Sequence, residues 1–198
     1  MIIGHHLIWT GYGQWLPNDP RGSTSQEIRN PILESLGALH FGRKRIQPCH
    51  REINEFYRDA EGKLQHPLPS FTTDQIEAIG VAFAQVANAN AYTVWACAIM
   101  PDHVHVLVRK HLHHAEEMIT EFQRDSRLAL IRRPDVPGDH PVWGGHGWKV
   151  YQDCPEDVNR TVNYINRNPK SYRLASQSWA FVTPYNNWPF HNKMRSEA

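Results

Sequence analysis

Two histidines separated by one residue, His103 and His105, are the first side chains in this sequence that suggest chemistry. Successive side chains of a β-strand point to opposite faces, so in a strand both imidazoles would project to one face, about 7 Å apart. Imidazole is a common metal ligand, and two rings at this spacing can converge on one cation. Val104, Val106 and Val108 alternate with them and suffice to bury the opposite face. Two surface histidines on a half-exposed sheet would give the same pattern.

A phenol and an amide follow downstream on a predicted helix. Tyr164 lies about 120° from the centre of the apolar stripe of that helix, so it is not an obvious core tyrosine. Asn168, four residues later, lies only about 40° around from Tyr164 on the same helical face. The amide oxygen can complete a coordination shell begun by two imidazoles, and the phenol can attack what the metal polarises. Without the histidine pair, a partly packed tyrosine beside a helix-ending asparagine would explain both residues.

The elements that must position these side chains can be read from periodicity and turn residues. The pattern predicts strands at about 5–12, 92–100, 103–109 and 147–152, and helices at about 72–91, 113–131 and 155–168. Asn168-Pro169 is predicted to close the last helix, and residues 179–183 favour one more strand. The order indicates an α+β fold, a split β-α-β-β-α-β (ferredoxin-like) antiparallel sheet backed by two helices. The third helix lies outside that unit and is free to carry Tyr164 onto the open sheet face.

Composition and length limit the classes of protein that fit. The chain has 198 residues, 40% hydrophobic and 21% charged, which fits a single globular domain over 1–198 with a polar, proline-punctuated insertion at about 20–70. No apolar stretch approaches the roughly 20 residues of a membrane span, and no secretory signal is visible. Three scattered cysteines do not suggest a disulfide framework, so we predict a cytoplasmic protein.

Charge alone does not point to a nucleic-acid partner, because the formal net charge is only +1. Local basic residues are candidate phosphate contacts, although each would also fit a solvated surface: Arg124, Arg127, Lys149, Arg160, Arg167 and Lys170. Three tryptophans are candidates for stacking on bases: Trp9, Trp15 and Trp148.

The two motifs together resemble one known family. The run MPDHVHVLV at 100–108, followed by Tyr164-Ile165-x-x-Asn168-Pro169, resembles the single-tyrosine HUH transposases, which comprise the insertion-sequence-200 type and the REP-associated tyrosine transposases. The run YGQWLPNDPRG at 12–22 is similar to a subgroup of them. The resemblance implies a β-α-β-β-α-β core, a homodimer, and nicking and joining of hairpin-containing single-stranded DNA through a covalent 5′-phosphotyrosine.

Carried over residue by residue, the resemblance makes His103 and His105 the metal pair and Tyr164 the nucleophile. Asn168 stands where the best-known members have a glutamine as third ligand, and the REP-associated branch commonly has Asn-Pro there. The cation would be Mg²⁺ or Mn²⁺, since a hard divalent ion offsets phosphate charge. Tyr151 and Tyr172 are weaker candidates for the nucleophile, because neither is followed by a ligand-capable residue on its own helical face.

Two alternatives remain at this point. One is a non-catalytic nucleic-acid-binding relative of these transposases. The other is a zinc hydrolase that uses His103, His105 and a further histidine.

Overall fold

The computed structural model describes residues 1–23, 25–28 and 30–190. The chain forms two compact units, one of Met1–Thr10 with the chain from Ser70 onward, the other of Gly11–Pro69. A single domain over 1–198 stays a prediction, and its last residues, 191–198, lie outside the described part.

The regular elements follow one another in the order strand, two short helices, then the alternation expected from the sequence. They are β1 (Gly4–Thr10), α1 (Pro31–Glu34), α2 (His50–Glu61), α3 (Thr73–Ala89), β2 (Val94–Ile99), β3 (His103–Arg109), α4 (Ala115–Ile131), β4 (Trp148–Gln152) and α5 (Pro155–Ser171). None of the helices in the described ranges is both long and apolar enough to cross a membrane.

The first unit contains a four-stranded sheet in the order β2-β3-β1-β4, with every neighbouring pair antiparallel. With α3 and α4 as the two crossover helices, this is the split β-α-β-β-α-β arrangement, and the predicted α+β fold class is confirmed. In the β1–β3 register His105 lies opposite Ile8 and His103 lies opposite Thr10.

The two faces of this sheet are covered by different helices. One face buries Val104, Val106 and Val108 completely, together with side chains of α3 and α4. The other face packs Leu107 and neighbouring residues against Val158 and Ile165 of α5. The sequence prediction that the valines face one core and the histidines the other side is therefore confirmed. The third helix does lie on the sheet face that the split βαβ unit leaves open.

Local sequence explains why α3 begins where it does. Thr72 Oγ1 accepts from the Gln75 backbone N–H at 3.3 Å, and Gln75 Oε1 accepts from the Thr72 backbone N–H at 3.1 Å. This capping box satisfies two N–H groups that a helix start leaves without partners. The apolar stripe predicted for this helix is buried as a whole: Ile76, Ile79, Phe83 and Val86.

Three expectations about local structure were wrong. α5 does not end at Asn168-Pro169 but continues to Ser171, because a proline so close to a helix end removes only one backbone hydrogen bond. The strand expected at 179–183 is only an isolated bridge between Val94 and Val182, with Thr183 N–H donating to the Val94 carbonyl. Trp9 is a core residue between α3 and α4 and has no exposed face for a base.

The second unit contains α1 and α2, which lie within the polar segment that the sequence marks as an insertion. It contains a buried carboxylate, Asp19, to which Arg21 donates from Nε at 2.9 Å and from Nη2 at 2.6 Å. Tyr57 donates its hydroxyl to the same carboxylate. A bidentate guanidinium pair of this kind is the geometry that satisfies a buried carboxylate. The conspicuous WLPNDPRG run therefore has a structural role within its own unit.

Candidate active site

The histidine pair lies on β3, which is an inner strand of the sheet. Strand alternation turns both side chains toward the face covered by α5, and their ring centroids are 4.9 Å apart with the planes at 89°. His105 is buried, whereas the side chain of His103 is partly open to solvent. The structure thus brings the two predicted ligands together on one face.

Each of these imidazoles has a partner at its Nδ1 atom. His103 Nδ1 lies 2.7 Å from Asp102 Oδ1, and a carboxylate can only accept, so this nitrogen carries the proton. His105 Nδ1 lies 3.0 Å from His6 Nε2. Metal-binding histidines usually have their second nitrogen hydrogen-bonded in this way, which fixes the ring and leaves the other nitrogen for the ion. This arrangement leaves His103 Nε2 available as a ligand, and it leaves His105 Nε2 available when His105 Nδ1 is the donor to His6.

His6 is a member of the site that sequence reasoning missed. It lies on β1, and its ring centroid is 5.1 Å from that of His105. Alternation within the predicted first strand could have shown that His5 and His6 face opposite ways. Choosing between them required knowing that β1 pairs with β3, and in which register.

Burial keeps two of these rings uncharged. Loss of solvent lowers the pKa of His6 to about 4. The pKa of His105 falls to about 2, mainly through burial and further through the nearby His103 and His6 rings, which oppose a second positive charge. A lowered pKa means that the proton is already lost well below neutral pH. Both rings are neutral at pH 7, which is the form of imidazole that binds a metal.

Tyr164 projects from α5 beside this cluster. Its ring centroid lies 5.4 Å from that of His105, in an edge-on arrangement, and 6.2 Å from that of His6. The side chain is nevertheless 53% exposed. An exposed phenol next to a buried imidazole is accessible to a large substrate while remaining close to the candidate ligands.

The same stripe of α5 continues along the histidine pair for two more turns. Tyr172, at the end of the helix, lies 5.4 Å from His103 between ring centroids and donates its hydroxyl to Asp102 Oδ2 at 3.3 Å. Asn168 lies between Tyr164 and Tyr172 on this stripe and is only 8% exposed. Its Nδ2 is buried without a hydrogen-bond partner in the described part of the chain. Rotating the side-chain amide by 180° would put Oδ1 at the position of Nδ2, and the oxygen is the amide atom that can bind a metal ion.

The six basic residues proposed as phosphate contacts fall into two groups. Arg160, Arg167 and Lys170 are exposed on α5, and Arg160 pairs with Asp157 of its own helix. The others lie with α4 on the far side of the sheet. There Arg124 pairs with Asp125, Arg127 donates to the His140 carbonyl, and Lys149 pairs with Glu116. Of the six candidates, only Arg160, Arg167 and Lys170 therefore lie on the same helix as Tyr164.

One other group could hold a metal ion. Asp153, Cys154 and Asp157 surround the first turn of α5. Within residues 1–23, 25–28 and 30–190 it is the one set in which three histidine, cysteine or carboxylate ligand atoms lie within 4.8 Å of one another. His103, His105 and a further histidine do not form such a set, so the three-histidine zinc hydrolase gains no support.

Comparisons with known proteins give distant structural likenesses only. No protein-family model matches the chain, and no curated protein matches its sequence. A solved structure of a REP-associated tyrosine transposase bound to a REP hairpin is similar, with 13% identity and a TM-score of 0.46, over 100% of this chain and 82% of that one. The crystal structure of a provisionally assigned transposase from Deinococcus radiodurans R1 is also similar, with 12% identity and a TM-score of 0.37. This match covers 89% of this chain and 94% of that one. Likenesses this distant leave function to be decided by the chain's own residues.

Proposed function

We propose that this protein is a single-tyrosine transposase of the HUH type, a metal-dependent enzyme that nicks and joins single-stranded DNA. The observation that carries the proposal is the position of the exposed Tyr164 phenol beside the buried, neutral imidazole of His105. Their ring centroids are 5.4 Å apart. His105 and His103 would hold the divalent cation through Nε2, and Asn168 Oδ1 would be the third ligand. With two imidazoles and one amide oxygen the site favours Mn²⁺ modestly over Mg²⁺, and either ion is compatible with it.

The chemistry follows from the charge of the substrate. A phosphodiester is anionic, and when bound the cation acts as a Lewis acid on its non-bridging oxygens. An ordinary phenol is only about 1 part in 1000 ionised at neutral pH, so a positive site beside Tyr164 also favours the attacking form. The Tyr164 oxygen forms a bond to phosphorus, the bond from phosphorus to the 3′ oxygen breaks, and the leaving 3′ oxygen takes up a proton.

Covalent attachment explains why joining can follow nicking. The tyrosyl ester retains the energy of the phosphodiester, so a second 3′-hydroxyl can reverse the step without ATP. This reversibility suits strand transfer better than degradation. We extend the proposal to a homodimer acting on hairpin-containing DNA, as the resemblance implies, and to a cytoplasmic location, as the composition predicts.

The decisive experiment looks for the covalent intermediate. Protein incubated with end-labelled, hairpin-containing single-stranded DNA and Mn²⁺ should give a protein–DNA band that survives denaturation, and EDTA should abolish it. A hairpin that binds stably but never becomes attached or cleaved, with Mn²⁺ or Mg²⁺, would identify the chain as the non-catalytic binding relative instead.

His6 gives a prediction about metal affinity. If its Nε2 accepts the His105 Nδ1 proton, His6 orients the ligand ring without touching the ion. His6→Ala should then weaken Mn²⁺ binding, measured by calorimetry, about 10- to 100-fold, as is usual when the hydrogen-bond partner of a ligand is lost.

The matched control is His5→Ala, which removes the neighbouring imidazole from the opposite face of β1. His5 packs edge-on against Tyr151, away from the ligand pair, and its loss should leave the Mn²⁺ affinity unchanged. His6→Asn, which keeps an acceptor, should recover part of the affinity. Equal Mn²⁺ binding by His6→Ala and the parent protein, both folded by circular dichroism, would exclude the orienting role.

A further inference from the structure

A patch of exposed apolar surface adjoins the candidate active site on the outer strand of the sheet. Trp148 is 53% exposed and Val150 is 41% exposed, although both lie on β4 within the sheet. Their side chains point to the same face as the histidine pair, and α5 packs chiefly on β2 and β3 rather than over β4. We refer to Trp148 and Val150, with Ile8 beside them, as the β4 platform.

Strand register places this platform close to the proposed chemistry. Trp148 lies opposite Ile8, and Ile8 lies opposite His105, so the three side chains form one row across the sheet. Adjacent strands are 4.7–4.9 Å apart, which puts the backbone of Trp148 about 10 Å from that of His105. Val150 forms the next row with His6, whose ring contacts Tyr164. The platform is therefore one strand away from His6, the ring that contacts Tyr164.

The opposite border of Tyr164 is cationic. Arg160 precedes it by four residues and Arg167 follows it by three, so both exposed side chains lie near Tyr164 on α5, and Arg160 also pairs with Asp157 of the same helix. The surface around the phenol is thus charged on the helix side and apolar, with an exposed indole, on the strand side. Single-stranded DNA has the same division, with anionic phosphates along one side and flat apolar bases along the other.

We propose that the β4 platform is a base-stacking subsite, on which Trp148 stacks with a nucleobase close to the phosphodiester that Tyr164 attacks. The proposal rests on the proposed function, because that function is what places a phosphodiester at Tyr164. Stacking on an indole is tolerant of base identity, since every base has a flat π-face. The subsite would hold the strand in place and would not select its sequence.

The test measures binding separately from cleavage. In a Tyr164→Phe background and without divalent metal, fluorescence anisotropy follows binding of a labelled hairpin that has a single-stranded extension. Trp148→Ala should weaken this binding about 10-fold or more, whereas Trp148→Phe, which keeps an aromatic face, should lose much less. Tyr151→Ala is the matched control. It removes a similarly exposed aromatic ring from the opposite face of the same strand and should leave the affinity unchanged.

Abasic substitutions along the extension then test stacking itself. One position should weaken binding to the Trp148 protein but not weaken binding to Trp148→Ala any further. The proposal is overturned if Trp148→Ala binds the hairpin with unchanged affinity. It is also overturned if every abasic position weakens binding to the Trp148 protein by the same factor. A third result would also overturn it: Trp148→Ala changes the self-association of the protein in sedimentation but leaves its DNA affinity unchanged. The platform would then be a contact between two copies of the chain. Adduct formation by the parent protein reports on the proposed function independently of these results.

Discussion

Replacing Tyr164 by phenylalanine is expected to abolish the covalent protein–DNA adduct and to leave hairpin binding nearly intact. The substitution removes only the hydroxyl oxygen that would attack phosphorus, while the ring keeps its packing against His105 and His6. Loss of a nucleophile reduces turnover by several orders of magnitude, so cleavage should fall on the order of 10⁴-fold or more. The measurements are the denaturation-resistant band with end-labelled DNA and the binding isotherm of the same variant.

Two other tyrosines serve as comparisons for this result. Tyr172 is the stronger rival, because its ring lies as close to His103 as that of Tyr164 lies to His105. Its hydroxyl, however, donates to Asp102. Tyr172→Phe and Tyr151→Phe should both still form the adduct. An adduct that persists in Tyr164→Phe and disappears in Tyr172→Phe would transfer the nucleophilic role to the end of α5.

Periodicity was enough to predict the sheet and its helices. The alternation of valines with histidines on β3 predicted which side chains face the core shared with α3 and α4, and the structure buries all three valines completely. For α3 the predicted start at about residue 72 agrees with the observed start at Thr73, because the Thr72 cap and the buried apolar stripe specify the same boundary. Local rules succeed where one face of an element must be buried, because the pattern and the packing then follow the same constraint.

Sequence patterns identified only some of the residues of the candidate active site. Spacing along a single strand or helix brought forward His103, His105, Tyr164 and Asn168. The contact between His6 and His105 depends on pairing between strands 99 residues apart, which no local pattern specifies. The position of Tyr172 beside His103 was missed for a related reason, since α5 was predicted to end at Asn168-Pro169 and instead continues to Ser171, directly before Tyr172.

The distribution of basic residues shows the same limit. Lys149 was proposed as a candidate phosphate contact together with the α5 residues Arg160, Arg167 and Lys170. Strand alternation on β4 instead places Lys149 on the α4 side, where it pairs with Glu116, and leaves Trp148 on the histidine side. A shift of one residue along a strand changes the face of the sheet, so charge counted along the chain cannot define a binding surface.

Replacing His103 by alanine is expected to lower cleavage about 10²- to 10³-fold while changing DNA binding little. The substitution removes one of two imidazole ligands, and Asp102 keeps its hydrogen bond from Tyr172 while losing the one from His103. Lewis-acid stabilisation of a phosphoryl transition state is worth several kcal/mol, and each 1.4 kcal/mol corresponds to about tenfold in rate. Cleavage rates at saturating Mn²⁺, with Mn²⁺ affinity from calorimetry, separate loss of the ion from loss of the fold.

His111→Ala is the matched control, since His111 follows the opposite end of β3 and packs against Tyr92 rather than the ligand pair. It should cleave and bind Mn²⁺ like the parent protein. His103 is partly exposed, so its replacement should also leave the fold intact. A His103→Ala protein that cleaves at the parental rate would exclude the metal role of β3. A protein with reduced cleavage but parental Mn²⁺ affinity would mean that His103 acts on the DNA directly, because a ligand cannot be lost without weakening the ion's binding.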